Sequence, residues 1–177
     1  STAMTSYLAL RALRDFGTHE QAAKIKTRQT QVLAWMKKTK PKDTEDQVAQ
    51  LRAFYYLNAA STDLNKAGTN LLKQQRKDGG WAQMPSLKSD AYATGTAMVA
   101  LIRSGTLKHT DAAYQKGIAF LLKTHLKDGS WHVKSRAKAF QTYFESGFPH
   151  GKDQFISMAA SCWSTLALVL ACPLEEE

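Results

Sequence analysis

The sequence predicts an all-α protein built of stacked helical hairpins, and three observations predict it. Apolar residues recur at three- and four-residue spacing along nearly the whole chain, while strand-type alternation is absent. One segment repeats without a gap at an offset of 50, KAGTNLLKQQRKDGGW (66–81) lying over KGIAFLLKTHLKDGSW (116–131). Each copy is followed by a second helical pattern rich in Ala, Ser, Thr and Gly, which suits the crowded centre of a stack.

Taken in order, the chain opens with one helix over 3–16, which reads as a second-type helix whose partner would precede it. The first hairpin, roughly 18–59, pairs a degenerate copy of the repeat, QVLAWMKKTK (31–40), with DTEDQVAQLRAFYYL (43–57). The second, 61–104, pairs the 66–81 copy with SDAYATGTAMVALI (89–102). The third, 110–172, pairs the 116–131 copy with DQFISMAASCWSTLALVL (153–170), across a long connection from His132 to Lys152. Asp43, Ser89 and Asp153 stand where N-caps belong. Gly17, Gly79, Gly105, Gly129 and Pro173 punctuate the helix ends. The expectation is a single repeat domain over 1–177 with about seven main helices.

Composition narrows the class. With 44% hydrophobic and 22% charged residues, the chain is an ordinary globular sequence. No apolar run reaches the ~20 residues of a membrane span, and the start carries no basic leader of a signal peptide, so a soluble protein is expected with no compartment signal. Cys162 and Cys172 fall ten residues apart on one expected helix, ~15 Å along its axis, too far for a disulfide, and are expected to be buried thiols. The net charge of +9 collects as basic residues near helix ends: Lys37, Lys38 and Lys40, then Lys73, Arg76 and Lys77, then Lys123 and Lys127. No aromatic interleaving or nucleic-acid motif accompanies them, so they read as a solvated face with cations near helix C-termini rather than a basic ridge facing acidic lipid or nucleic acid.

The ending Gln75-x-x-x-Gly79-Gly80-Trp81 resembles the glutamine-tryptophan repeat of squalene-hopene and oxidosqualene cyclases. In the next copy Lys116, Gly117, Phe120, Leu121, Gly129 and Trp131 match the fuller pattern, with His125 in the Gln place. The resemblance implies an α/α toroid of the terpenoid cyclase and prenyltransferase kind, of which this chain would be a partial arc. It also implies that Trp81 and Trp131 are structural staples, the indole stacking on the Gln amide while Gly frees the turn.

Class II cyclases of that family protonate their substrate with the middle acid of an Asp-x-Asp-Asp motif at the start of an inner helix. Registering the motif on Asp90-Ala91-Tyr92-Ala93 puts Tyr92 in the acid's place. Asp43-Thr44-Glu45-Asp46 carries carboxylates at all three required positions, so Glu45 and Asp46 are the catalytic candidates, against an ordinary capped, acidic first turn. The zinc-type set nearest the prenyltransferase pattern is Asp153, Cys162 and His150. Asp153 and Cys162 are ~13 Å apart along a helix, so no metal and no cofactor is expected. A Cys-Gly-Glu-Gln thioester sequence is absent.

The aromatic connection supplies Phe140, Tyr143, Phe144, Phe148 and Phe155, which either anchor the loop or line a cavity beside Tyr92 and Trp163. Tyr92, Phe144, Phe148, His150 and Trp163 are accordingly the ligand-pocket candidates. Two functions follow. One is a non-catalytic squalene cyclase-like repeat domain giving a binding or assembly surface within a larger protein. The alternative is a fragment of an isoprenoid cyclase-like enzyme acting on a hydrophobic polyprenyl substrate. The missing acid motif and the incomplete repeat count favour the first. Expected partners are further repeats or domains of a parent protein, a second copy of the chain, and a hydrophobic isoprenoid-like ligand.

Overall fold

The computed structural model describes residues 1–137 and 142–171. They are predominantly α-helical, and no strand is formed among the described residues. The helices are α1 (Thr2–Phe16), α2 (Ala22–Lys38), α3 (Thr44–Tyr56), α4 (Ser61–Leu72), α5 (Ala91–Arg103), α6 (Ala112–Thr124) and α7 (Gln154–Val169).

Burial is greatest in α5 and α3 and least in α2, while α1 and α7 are buried to about the same extent as α4 and α6. In α5 the residues from Ala93 to Leu101 are all buried, because Ala, Gly and Thr let neighbours approach on every side. In α2 the charged positions leave Met36 as its buried residue. Helix α3 packs against α1, α4 and α5, and α5 packs against α6 and α7. The core between them is contributed mostly by α3 and α5, with Leu51, Val48, Met98 and Leu101 fully enclosed.

Cap chemistry sets the helix starts, with two departures from expectation. Asp43 caps α3 by accepting from the Asp46 amide at 2.9 Å. On α5 the cap is Asp90, one residue beyond the expected Ser89, and it accepts from the Ala93 amide at 2.9 Å. Ser89 donates instead to Asp78 of the preceding turn at 3.0 Å. Asp153 precedes α7 without capping it; its carboxylate takes the Ser135 amide at 2.8 Å and the His132 ring at 2.9 Å. A long-range partner has outcompeted the local one.

Cys162 is exposed rather than buried. It lies on the side of α7 opposite Ser157, Ala160, Ser164 and Ala167, which face the core. Cys172, Pro173 and Phe140 fall outside the described residues.

Candidate functional site

The repeated turn is the best-defined motif. Arg76 N–H donates to the Gly80 carbonyl at 2.9 Å, and Leu126 N–H to the Ser130 carbonyl at 2.9 Å. Asp78 and Asp128 each accept from the amide two residues on, at 3.0 Å. The Trp81 indole N–H reaches the Leu71 carbonyl at 2.9 Å, and the Trp131 indole N–H reaches Leu121 at 2.9 Å. Each tryptophan amide then donates to a hydroxyl on a following helix, Thr94 in α5 or Ser161 in α7. Both indoles are buried, at 0% and 3% exposure, so their polar edges are committed to the protein.

Gln75 and His125 occupy the same place in the two copies and act differently. The Gln75 amide donates to the Gly79 carbonyl at 2.9 Å and to the Ala113 carbonyl at 2.7 Å, tying the turn to the start of α6. The His125 ring meets Trp131 edge-on, with centroids 4.8 Å apart. Gly79 and Gly129 both adopt positive φ, +88° and +84°, which favours glycine at each.

At the N-terminal ends of α3 and α5 stand Glu45 and Tyr92. The Glu45 carboxylate is one-quarter exposed and 3.6 Å from the Ser1 amine, and Asp46 accepts from the Lys42 amide at 3.0 Å. Burial, with Glu45 adding to it, pushes the Tyr92 phenol up to about 12, so it is a neutral hydroxyl at ordinary pH. Beside it Gln83, 6% exposed, donates to Asp90 at 2.8 Å and accepts from Arg136 at 2.6 Å. Burial pushes the Asp90 carboxyl up, opposed by the Ala93 amide, Gln83, the Tyr92 amide and Arg136. This chain of polar contacts joins residues 53 apart in sequence, which is why periodicity could not announce it.

The aromatic connection is held by polar residues, which apolar spacing does not reveal. Gln154, fully buried at the start of α7, donates to the Phe144 carbonyl at 2.7 Å and accepts from the Ser146 amide at 2.6 Å. The Phe144 ring is 65% exposed. His150, at φ +87°, stacks on His132 with centroids 4.6 Å apart, and its Nε2 lies 2.8 Å from the Ser130 hydroxyl. Phe148 meets His150 edge-on at 6.4 Å. Trp163 is half-buried on α7 and faces the Arg52 guanidinium, 4.6 Å from its ring centroid. Among the described residues no three His, Cys, Asp or Glu side chains are grouped to hold a metal ion, and no helix is long and apolar enough to cross a membrane.

A half-open cavity of about 480 Å³ lies at the other ends of the helices, where α1, α3 and α5 finish. Its walls carry four arginines, Arg11, Arg14, Arg52 and Arg103, together with Tyr7, Tyr55 and Tyr56. None of the five ligand-pocket candidates lines it. Its charged side chains come from three separate helices, and the only sequence trace is an arginine or tyrosine near the end of each. No family model matches the chain, and no curated protein matches it.

Proposed function

We propose that this chain is a non-catalytic repeat domain of the squalene cyclase and prenyltransferase kind, a partial α/α arc that offers its end helices to further repeats of a larger protein. The succession of contacts, α1 to α3 to α5 to α7, supports an inner row, with α2, α4 and α6 outside the pairs they connect. The indole bond repeated at Trp81 and Trp131 supports stacked hairpins of one family.

The observation that carries the functional part is the outer face of α7. Phe155, Met158, Cys162, Thr165 and Val169 are all exposed and are spaced three, four, three and four residues apart. That is the seam by which one helix packs on another. Helices α3 and α5 each have an inner neighbour on both sides, whereas α1 and α7 each have one. At the opposite end α1 exposes Leu8, Leu13 and Phe16. The natural occupant of either face is the next helix pair of the same type, because it continues a packing already made three times.

The alternative, an isoprenoid cyclase-like enzyme, draws less support. The place of the acid in α5 holds Tyr92, and Glu45 sits in a capped, acidic first turn beside Asp43 and Asp46. Light scattering of the purified chain, combined with binding of a hydrophobic dye, tests the assembly reading. Self-association or dye binding, either one lost in Met158→Glu, is the expected result. A lone monomer that binds no dye would overturn it. Incubation with squalene and with prenyl diphosphates is expected to give no product; a product abolished by Glu45→Gln would overturn the non-catalytic reading.

A further inference from the structure

We infer that the cavity at the C-terminal ends of α1, α3 and α5 is a binding site for a small multivalent oxyanion, a ligand bearing phosphate or carboxylate groups. The inference stands apart from the repeat-domain reading and does not depend on it.

Charge is the first argument. Four guanidinium groups line the cavity against one carboxylate, Asp15. That carboxylate is already shared by Arg11 at 3.6 Å, Arg14 at 3.4 Å and the Tyr56 hydroxyl at 2.5 Å. Arg14 also donates to the Tyr56 carbonyl at 3.2 Å, the kind of contact that makes a helix end hospitable to a cation. Among the described residues neither Arg52 nor Arg103 has a carboxylate within 4 Å.

Arg52 is the second argument. It is 8% exposed, with its guanidinium 4.8 Å from the Tyr7 ring centroid and 4.6 Å from that of Trp163. Aromatic faces recover part of the cost of burying a cation, but a counter-charge is what normally balances it. Burial holds its pKa down, Tyr7 opposes that, and the charges of Arg103 and Arg11 add to the lowering. A protein that keeps a buried arginine among other arginines gains most when an anion enters.

Shape is the third. A volume of about 480 Å³ falls within the roughly 300–1,000 Å³ of small-molecule sites and is far below what a folded partner needs. Arg52 and the buried Tyr7 form the floor, while Arg11, Arg14 and Arg103 are exposed at the rim. Guanidinium forks at floor and rim match the paired oxygens of phosphate or carboxylate, and more than one such group is needed to meet both.

The test is titration of the full chain, in low-salt buffer free of phosphate, with inorganic phosphate, inorganic triphosphate and citrate. Sodium chloride at matched ionic strength is the control, and calorimetry and thermal melting are the readouts. Saturable binding of one ion per chain with a rise in Tm beyond that given by chloride is expected. Triphosphate alone would assign a phosphoryl ligand, citrate alone a carboxylate one, and both a general oxyanion site. Arg103→Gln, at the exposed rim, is expected to fold as wild type and weaken binding about tenfold; Arg52→Met should weaken it at least as much. Lys123→Gln, on α6, should bind as wild type. Binding no stronger than chloride, or equal weakening by Lys123→Gln and Arg103→Gln, would overturn the site. If Arg52→Met does not fold, the Arg103→Gln comparison decides alone.

Discussion

A Cβ on Gly95 would lie 2.8 Å from the main-chain nitrogen of Ser164, so α5 and α7 meet backbone to backbone. The same crossing brings the Ser164 hydroxyl to 3.3 Å from the Ala91 carbonyl. The most enclosed helix of the protein is thus held against the last one by the absence of a side chain.

Gly95→Ala is expected to destabilise the chain by about 2 kcal/mol, although alanine is the better helix former. The added methyl also meets the Trp163 main chain at 2.8 Å, and neither backbone can yield without moving a helix. Urea unfolding measures it. A variant as stable as wild type would show that α5 and α7 are free to separate.

The two turn glycines should respond unequally to the same change. At Gly129 a Cβ meets nothing within 4 Å, so Gly129→Ala costs only the left-handed backbone, about 1 kcal/mol. At Gly79 a Cβ would stand 2.3 Å from the Lys116 carbonyl oxygen, in addition to the same strain. Gly79→Ala is therefore expected to cost at least about 2 kcal/mol more, since α6 must shift. Equal losses in paired denaturation curves would contradict the close approach of turn and helix.

Trp81→Phe and Trp131→Phe should each cost about 1–3 kcal/mol, through the lost indole hydrogen bond and the smaller ring. Their similarity is the point, because the two indoles make the same bond to the main chain ten residues back. A large loss of anion binding in either variant, with stability intact, would mean that the indole serves a ligand rather than the fold.

Asp90 gives a pH signature of unusual sign. Burial raises its folded pKa above the unfolded value, so the folded state holds its proton more tightly. Its contribution to stability is therefore full below the ordinary carboxylate value and declines as pH rises through the raised folded value. Asn keeps the cap without titrating. Asp90→Asn should thus gain on wild type as pH is raised from about 4, as followed by urea midpoints at several pH values. A gap that stays constant with pH would mean that the Asp90 carboxyl is not held above its ordinary range.

By itself the sequence determined the helices, their order and the repeated turn. These are local properties: apolar spacing, capping residues, a glycine where φ is positive and a tryptophan ten residues from its own acceptor. It also marked Glu45 as part of an acidic helix start. What only the tertiary structure decided was which distant groups meet. Ser89 was displaced by Asp90 as a cap because Asp78 from the preceding turn claims its hydroxyl. Cys162 faces outward because α7 presents its other side to the core. Arg11, Arg52 and Arg103 share no spacing in the sequence and come together only because three helices finish at one cavity. Periodicity records which face of a helix is apolar, but says nothing of which charges its end will share, because those come from neighbours distant in sequence.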